Sequence, residues 1–213
     1  MAENQQTTGA HKLYYSVIEG SLRRKAKPED NAEFVTKRTN KSGQEVEEYT
    51  AGSLSGIIDS IAVVSKEFNG KKVTNLEVLL KDVGENYLLQ FPVESKYFAS
   101  FAEKLPNVDY TQYVTISVYD WTPTGESKKK TGVSIKQAGQ KVLSFFSKEN
   151  PLPGVDPFPV GGADDDVKLW GIQRTKALKK LIEQEAVRLQ DSKAPVAKAE
   201  EAAAPQPEDD LPF

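Results

Sequence analysis

Residues 55–93 read SGIIDSIAVVSKEF, NGKK, VTNLEVLLKD, VGEN, YLLQFPV, and this stretch decides the fold. SGIIDSIAVVSKEF is a long strand. The Asn69-Gly70 pair in NGKK is a tight-hairpin signal, because both central residues of such a turn need positive φ. In VTNLEVLLKD, Leu76, Val78 and Leu80 share one face. VGEN turns the chain again into YLLQFPV, where Tyr87, Leu89, Phe91 and Val93 alternate with Leu88 and Gln90. Three antiparallel strands in sequence follow from these periods.

Downstream the period changes. In SKYFASFAEKLP (95–106), Ser95 is a helix cap, Phe98, Phe101, Ala102 and Leu105 recur at helical spacing, and Pro106 ends the helix. TQYVTISVYDW (111–121) returns to alternation. Val114, Ile116 and Val118 face one way, and Tyr113, Thr115, Ser117, Tyr119 and Trp121 the other. The loop TPTGESKKK leads to a fifth strand, TGVSIKQ, with Val133 and Ile135 inward. Three strands, a helix and two strands is the layout of the OB-fold, a partly open five-stranded Greek-key barrel. The expected fold is therefore mainly β, with a barrel core over about 55–146 and the helix capping one end.

Upstream, residues 1–11 are polar and read as disordered. Residues 12–50 hold strand-like pieces, LYYSVIEGSL, EFVTKRT and EVEEYT. The last two are joined by NKSG and form a hairpin extension, so the OB domain with this extension covers 12–149. Residues 150–163 are a Pro/Gly-rich connector. Asp164 to Asp166 favour a helix N-terminus. A helix over 167–190 carries Leu169, Ile172, Leu178, Leu181, Ile182 and Leu189 near one stripe, with Gly171 weakening its first turn. That stripe docks onto the barrel or serves self-association, so a homo-oligomer stays open. From Asp191 the composition of Ala, Pro, Lys and Glu reads as a flexible acidic tether.

Charge is uneven. The chain carries -3 overall, whereas residues 191–213 carry six acids against two lysines, which leaves a near-neutral body and an acidic tail. No cysteine is present, which excludes disulfides, thiolate metal sites and cysteine nucleophiles and suits a reducing compartment. No apolar run approaches a membrane span and the start lacks an apolar leader core, so the expectation is a cytoplasmic protein with no membrane partner.

Enzyme chemistry finds little support. The single histidine, His11, lies in the polar leader, and no phosphate loop, metal cluster or nucleophile elbow occurs. Asp164 to Asp166 suggest capping before metal binding. No enzyme activity, cofactor or metal is expected.

Nucleic-acid chemistry has more to work with. From Lys128 to Lys148 there are six lysines (Lys128, Lys129, Lys130, Lys136, Lys141 and Lys148) and no acid, directly after Tyr119 and Trp121. Cations that track a phosphate backbone beside aromatic faces that stack on bases are the parts of a single-strand binder. The competing reading has Tyr119 and Trp121 covering the barrel end above a solvated loop. Arg23 and Arg24, the pair Lys37 and Arg38 near Phe34, and Lys71 and Lys72 on the first hairpin turn extend the basic surface.

The chain closes on EDDLPF. This resembles the acidic tip of bacterial-type single-stranded-DNA-binding proteins, which end in aspartates, an aliphatic residue, proline and phenylalanine. Asp209 and Asp210 match the acids, Leu211 the aliphatic position, and Pro212 and Phe213 the end. The resemblance implies that the tip docks on replication, recombination and repair proteins while an OB body coats single-stranded DNA. The family's opening strand motif and long Gly/Gln-rich tether are missing. A bacteriophage-encoded version acting in a bacterial cytoplasm accounts for a divergent body with a familiar tip. Two alternatives stand beside it: a protein-interaction adaptor of the replication machinery, and an RNA-binding protein.

Overall fold

The computed structural model describes residues 12–40, 42–68 and 70–202, with side chains described through Lys193 except Phe68. The strands are β1 (Lys12–Ile18), β2 (Ser21–Lys25), β3 (Val35–Thr39), β4 (Glu45–Ala51), β5 (Leu54–Phe68), β6 (Lys71–Lys81), β7 (Asn86–Pro92), β8 (Val114–Trp121), β9 (Lys130–Gln137) and β10 (Gln140–Lys141). Helix α1 spans Lys96–Ala102 and α2 spans Asp164–Ala202. Short 3-10 turns cover Ala32–Phe34 and Leu105–Asn107.

The alternation in 55–93 produces the antiparallel meander β5–β6–β7, with Ile61 opposite Val78 and Leu80 opposite Tyr87. β5 changes partner along its length. Leu54, Ser55 and Gly56 pair with β8, and the residues from Ile57 pair with β6. Gly56 stands at the changeover, where a Cβ would come within 2.7 Å of the Lys81 carbonyl oxygen. The inward residues Ile58, Leu76, Val78, Leu80, Leu89, Phe91, Ile116, Val133 and Ile135 are almost fully buried. Ser95 caps α1 by accepting from the Phe98 N–H at 3.2 Å, and α1 drives Phe98 and Phe101 into this core. The rings of Phe91 and Phe101 stack at 5.1 Å.

The sheet differs from the expected five-stranded barrel. It has ten strands in the order β10-β9-β8-β5-β6-β7-β1-β2-β4-β3, and the ladder does not close. β1 takes the outer edge of β7, parallel to it, with Leu13 opposite Tyr87. The far edge of β9 is met by a helix instead: Ser100 Oγ on α1 accepts from the Val133 N–H at 3.0 Å. A backbone donor at a strand edge must find some partner, and a hydroxyl serves.

LYYSVIEGSL, read as one piece, divides into β1 and β2. Glu19 and Gly20 both adopt left-handed φ, 48° and 75°, as a two-residue hairpin turn requires. Glu-Gly lacks the Asn or Asp that usually announces such a turn. Gly20 is required for a second reason, since a Cβ there would lie 2.6 Å from the Asp120 Cβ. The β3–β4 hairpin forms as expected, with Asn40 Oδ1 accepting from the Ser42 and Gln44 N–H groups.

α2 begins at Asp164 rather than at 167 and runs to Ala202, past the expected end at 190. Asp166 accepts from the Ala163 N–H at 3.2 Å, so the acids act at the helix start. Beyond Gln190 the chain is rich in Ala, Lys and Glu, which are strong helix formers, and the helix continues past Pro195 to Ala202. Leu178, Ile182 and Leu189 are buried against the body. A polar clip adds direction: the Tyr110 hydroxyl donates to Glu185 at 2.8 Å, and Arg188 donates to Glu185 and to the carbonyls of Leu105 and Val108. Leu169 and Ile172 stay exposed, outside the docked stripe. No described helix is long and apolar enough to cross a membrane.

Candidate nucleic-acid interface

The β8–β9 hairpin sets Trp121 opposite Lys130, Tyr119 opposite Gly132, Ser117 opposite Ser134 and Thr115 opposite Lys136. Directly opposed residues share a face, so one register gathers both aromatics and two lysines on the side away from Val133 and Ile135. β10 adds Lys141 opposite Lys136 through a turn at Ala138 and Gly139, both at positive φ. The N-terminus of α1 adds Lys96. The result is a shallow groove of about 730 Å3, lined by Lys96, Lys129, Lys130, Lys141, Tyr119 and Trp121 with Thr131 and Ser134, and by no acid.

Trp121 is 53% exposed, so much of its ring is open to a stacking partner. The Lys130 ammonium lies 5.8 Å from the centre of that ring. Tyr119 is less free. Its hydroxyl reaches over Gly132, where a Cβ would come within 2.5 Å of it and within 2.8 Å of Ser100 Oγ. The missing side chain at 132 thus lets the phenol lie down on β9, leaving Trp121 as the more exposed of the two rings.

The lysines are not equivalent. Lys129 pairs with Asp120 at 2.8 Å and Lys130 with Glu126 at 3.0 Å. The Lys129 ammonium holds the Asp120 carboxyl below the usual carboxylate range, and Asp120 in turn raises Lys129. Lys96 and Lys141 line the groove without an ion pair among the described residues. Lys128 and Lys136 are exposed nearby but do not line it. Behind the groove, Lys104 is buried and donates to the Ser100 carbonyl and hydroxyl, and burial lowers its pKa.

The remaining basic candidates lie elsewhere. Arg24 forms a bidentate pair with Asp30 and stacks 4.4 Å from the centre of the Tyr49 ring. Arg23 and Arg38 both reach Glu48, and Lys37 pairs with Glu47 at 3.4 Å. Arg23, Arg24 and Arg38 are engaged in holding β2, β4 and β3 together, whereas both members of the Lys37–Glu47 pair are exposed and can separate into solvent. Arg38 keeps the Glu48 carboxyl below its usual range. Phe34 meets Tyr49 edge-on at 6.1 Å beside a separate cavity of about 370 Å3 that also holds Tyr15, Arg24 and Tyr87. Lys71 and Lys72 are exposed at the base of the β5–β6 turn and do not line the groove. Asn69 of that turn, His11 and the rest of 1–11, and Asp209, Asp210, Leu211, Pro212 and Phe213 lie outside the described residues.

Lys96 was missed in the sequence because it sits alone behind the Ser95 cap, far along the chain from Trp121. No local signal marks it. Among the described residues no group of three or more His, Cys, Asp or Glu is placed to hold a metal ion.

Comparison with protein-family models finds no match, and comparisons with curated proteins and with solved structures find none either.

Proposed function

We propose that this chain is a non-enzymatic binder of single-stranded nucleic acid built on an OB-type sheet. More particularly, it is a single-stranded-DNA-binding protein. It coats exposed strands in replication, recombination and repair, and recruits partner proteins through residues 209–213. The strand order β9-β8-β5-β6-β7, with α1 inserted between β7 and β8, supports the OB reading. β1 then stands in the parallel position beside β7 that the fifth barrel strand would otherwise fill.

One observation carries the functional reading: four lysines and two aromatics converge on an acid-free groove. Phosphates would meet the ammonium groups, and bases would stack on Trp121, at roughly 1–3 kcal/mol per base without regard to sequence. In a bacterial cytoplasm, including that of a phage-infected cell, such a protein needs no metal or cofactor to act.

The test is oligo(dT) binding at low and high salt, on the full chain and on a chain truncated before Glu208. Tight binding that weakens steeply with salt, as counterions are released, is the expected result. Truncation should preserve it. Absence of binding by both versions would overturn the reading and leave 208–213 as a docking segment on an adaptor. A matched RNA oligomer that competes better than DNA would move the assignment to RNA.

A further inference from the structure

Asp120 is the carboxylate paired with Lys129, one of the lysines that line the groove. It alternates with Trp121 on β8 and so points to the opposite side of the strand, where its side chain is only 11% exposed. Three elements besides β8 close around it. From β9, the Thr131 hydroxyl donates to it at 2.9 Å. From the β1–β2 turn, Gly20 packs against its backbone and Cβ with no space for a side chain. From α1, Tyr97 lies close enough that burial and the Asp120 charge together raise its hydroxyl pKa. The charged group on its open side is Lys129, at 2.8 Å, with Glu19 in the neighbouring turn.

This geometry divides the groove's cations. Lys96 and Lys141 are available to an incoming phosphate. Lys129 lines the same groove, yet its ammonium already has an anion. We infer that Asp120 is a built-in competitor for the strand's phosphates, holding Lys129 back so that binding is weaker and less salt-sensitive than the lysine count of the groove implies. The inference rests on the groove being the strand's binding surface. The carboxylate accepts from Thr131, and Gly20 packs against the Asp120 backbone and Cβ, so the side chain is held in place beside Lys129. Lys129 has to choose between the two anions. Glu126 plays a lesser version of this part toward Lys130, since both members of that pair are half exposed and can separate into solvent.

Neutralising Asp120 has a readable consequence. Each phosphate contact on a single strand adds about 0.7 to the slope of log K against log salt. One lysine set free should therefore steepen the slope by about 0.7 and tighten binding by about fivefold at about 0.1 M salt. Asn at 120 keeps an oxygen for Thr131, so the packing is retained.

The experiment titrates labelled oligo(dT) by anisotropy across a salt series with the full chain, D120N, K129Q and the double variant. Expected are a tighter, steeper D120N and a double variant no better than K129Q alone, because the gain runs through Lys129. A D120N that binds like the parent, or whose gain survives in the double variant, overturns the inference. K129Q against K141Q is a second measure that does not depend on how D120N folds. The masked Lys129 should cost less affinity than the free Lys141, and equal or greater loss at 129 also overturns it. Failure of the parent chain to bind any oligomer would instead sink the groove reading itself.

Discussion

Trp121→Ala isolates the stacking half of the proposed interface. The ring is 53% exposed at the end of β8, so its removal opens no core cavity. What the folded chain loses is a cross-strand contact with Lys130, which contributes about 0.2–1 kcal/mol. For a chain of this size that lowers Tm by less than about 4 °C. What the complex loses is a base stacked on an indole, roughly 1–3 kcal/mol. Oligo(dT) affinity should therefore fall by about fivefold to about 150-fold while the fold is kept. The salt slope should stay as it was, because no cation has been removed. The assay is anisotropy of a labelled oligomer at several salt concentrations, with thermal unfolding run in parallel. Trp170→Phe is the control. Its indole donates to the Asp156 carbonyl and meets Phe158 edge-on in a different part of the molecule, so binding should not change. A folded W121A that binds as tightly as the parent would refute the stacking argument. So would a W121A whose main change is a shallower salt slope.

Two further outcomes follow from the packing. Gly132→Ala places a methyl 2.5 Å from the Tyr119 hydroxyl and 2.8 Å from Ser100 Oγ, so both must shift. The expected cost is about 1–3 kcal/mol of stability in urea unfolding, with partial recovery when Tyr119→Ala is added. The second concerns acid. The Arg24 guanidinium holds Asp30 below its usual carboxylate range, so the pair's contribution is complete above the unfolded value of about 3.9 and is lost as pH falls through the lower folded value. Asp30→Asn should be clearly destabilising at about pH 7, and its gap to the parent should narrow as pH falls below the unfolded carboxylate value of about 3.9, read from urea midpoints. A gap that persists in acid would mean that the ion pair is not its source.

Much of the central sheet was legible because its signals are local. Alternation in 73–80 and 113–121 selects the buried faces, and Ser95 followed by Phe98 and Phe101 marks α1. The β1–β2 break was not legible, because Glu19-Gly20 carries a weak turn signal and its glycine answers to Asp120 on a strand a hundred residues away. Nor was the extent of α2, since the Ala, Lys and Glu composition that suggests a tether also favours a helix. In the groove, the Trp121, Tyr119 and lysine run stood out from spacing alone. Lys96 reached it only through the docking of α1.

The sequence by itself determined which residues face inward along β5 to β9, because side-chain period and capping act over a few residues. Only the tertiary structure decided which cations remain free. Arg23, Arg24, Lys37, Arg38, Lys129 and Lys130 looked as available as Lys141, but cross-strand register sets Glu48 and Glu47 against three of the first four, a local turn folds Asp30 onto Arg24, and Asp120 and Glu126 meet Lys129 and Lys130. An ion pair between strands is set by register, and register depends on how the whole sheet is assembled, not on neighbouring residues.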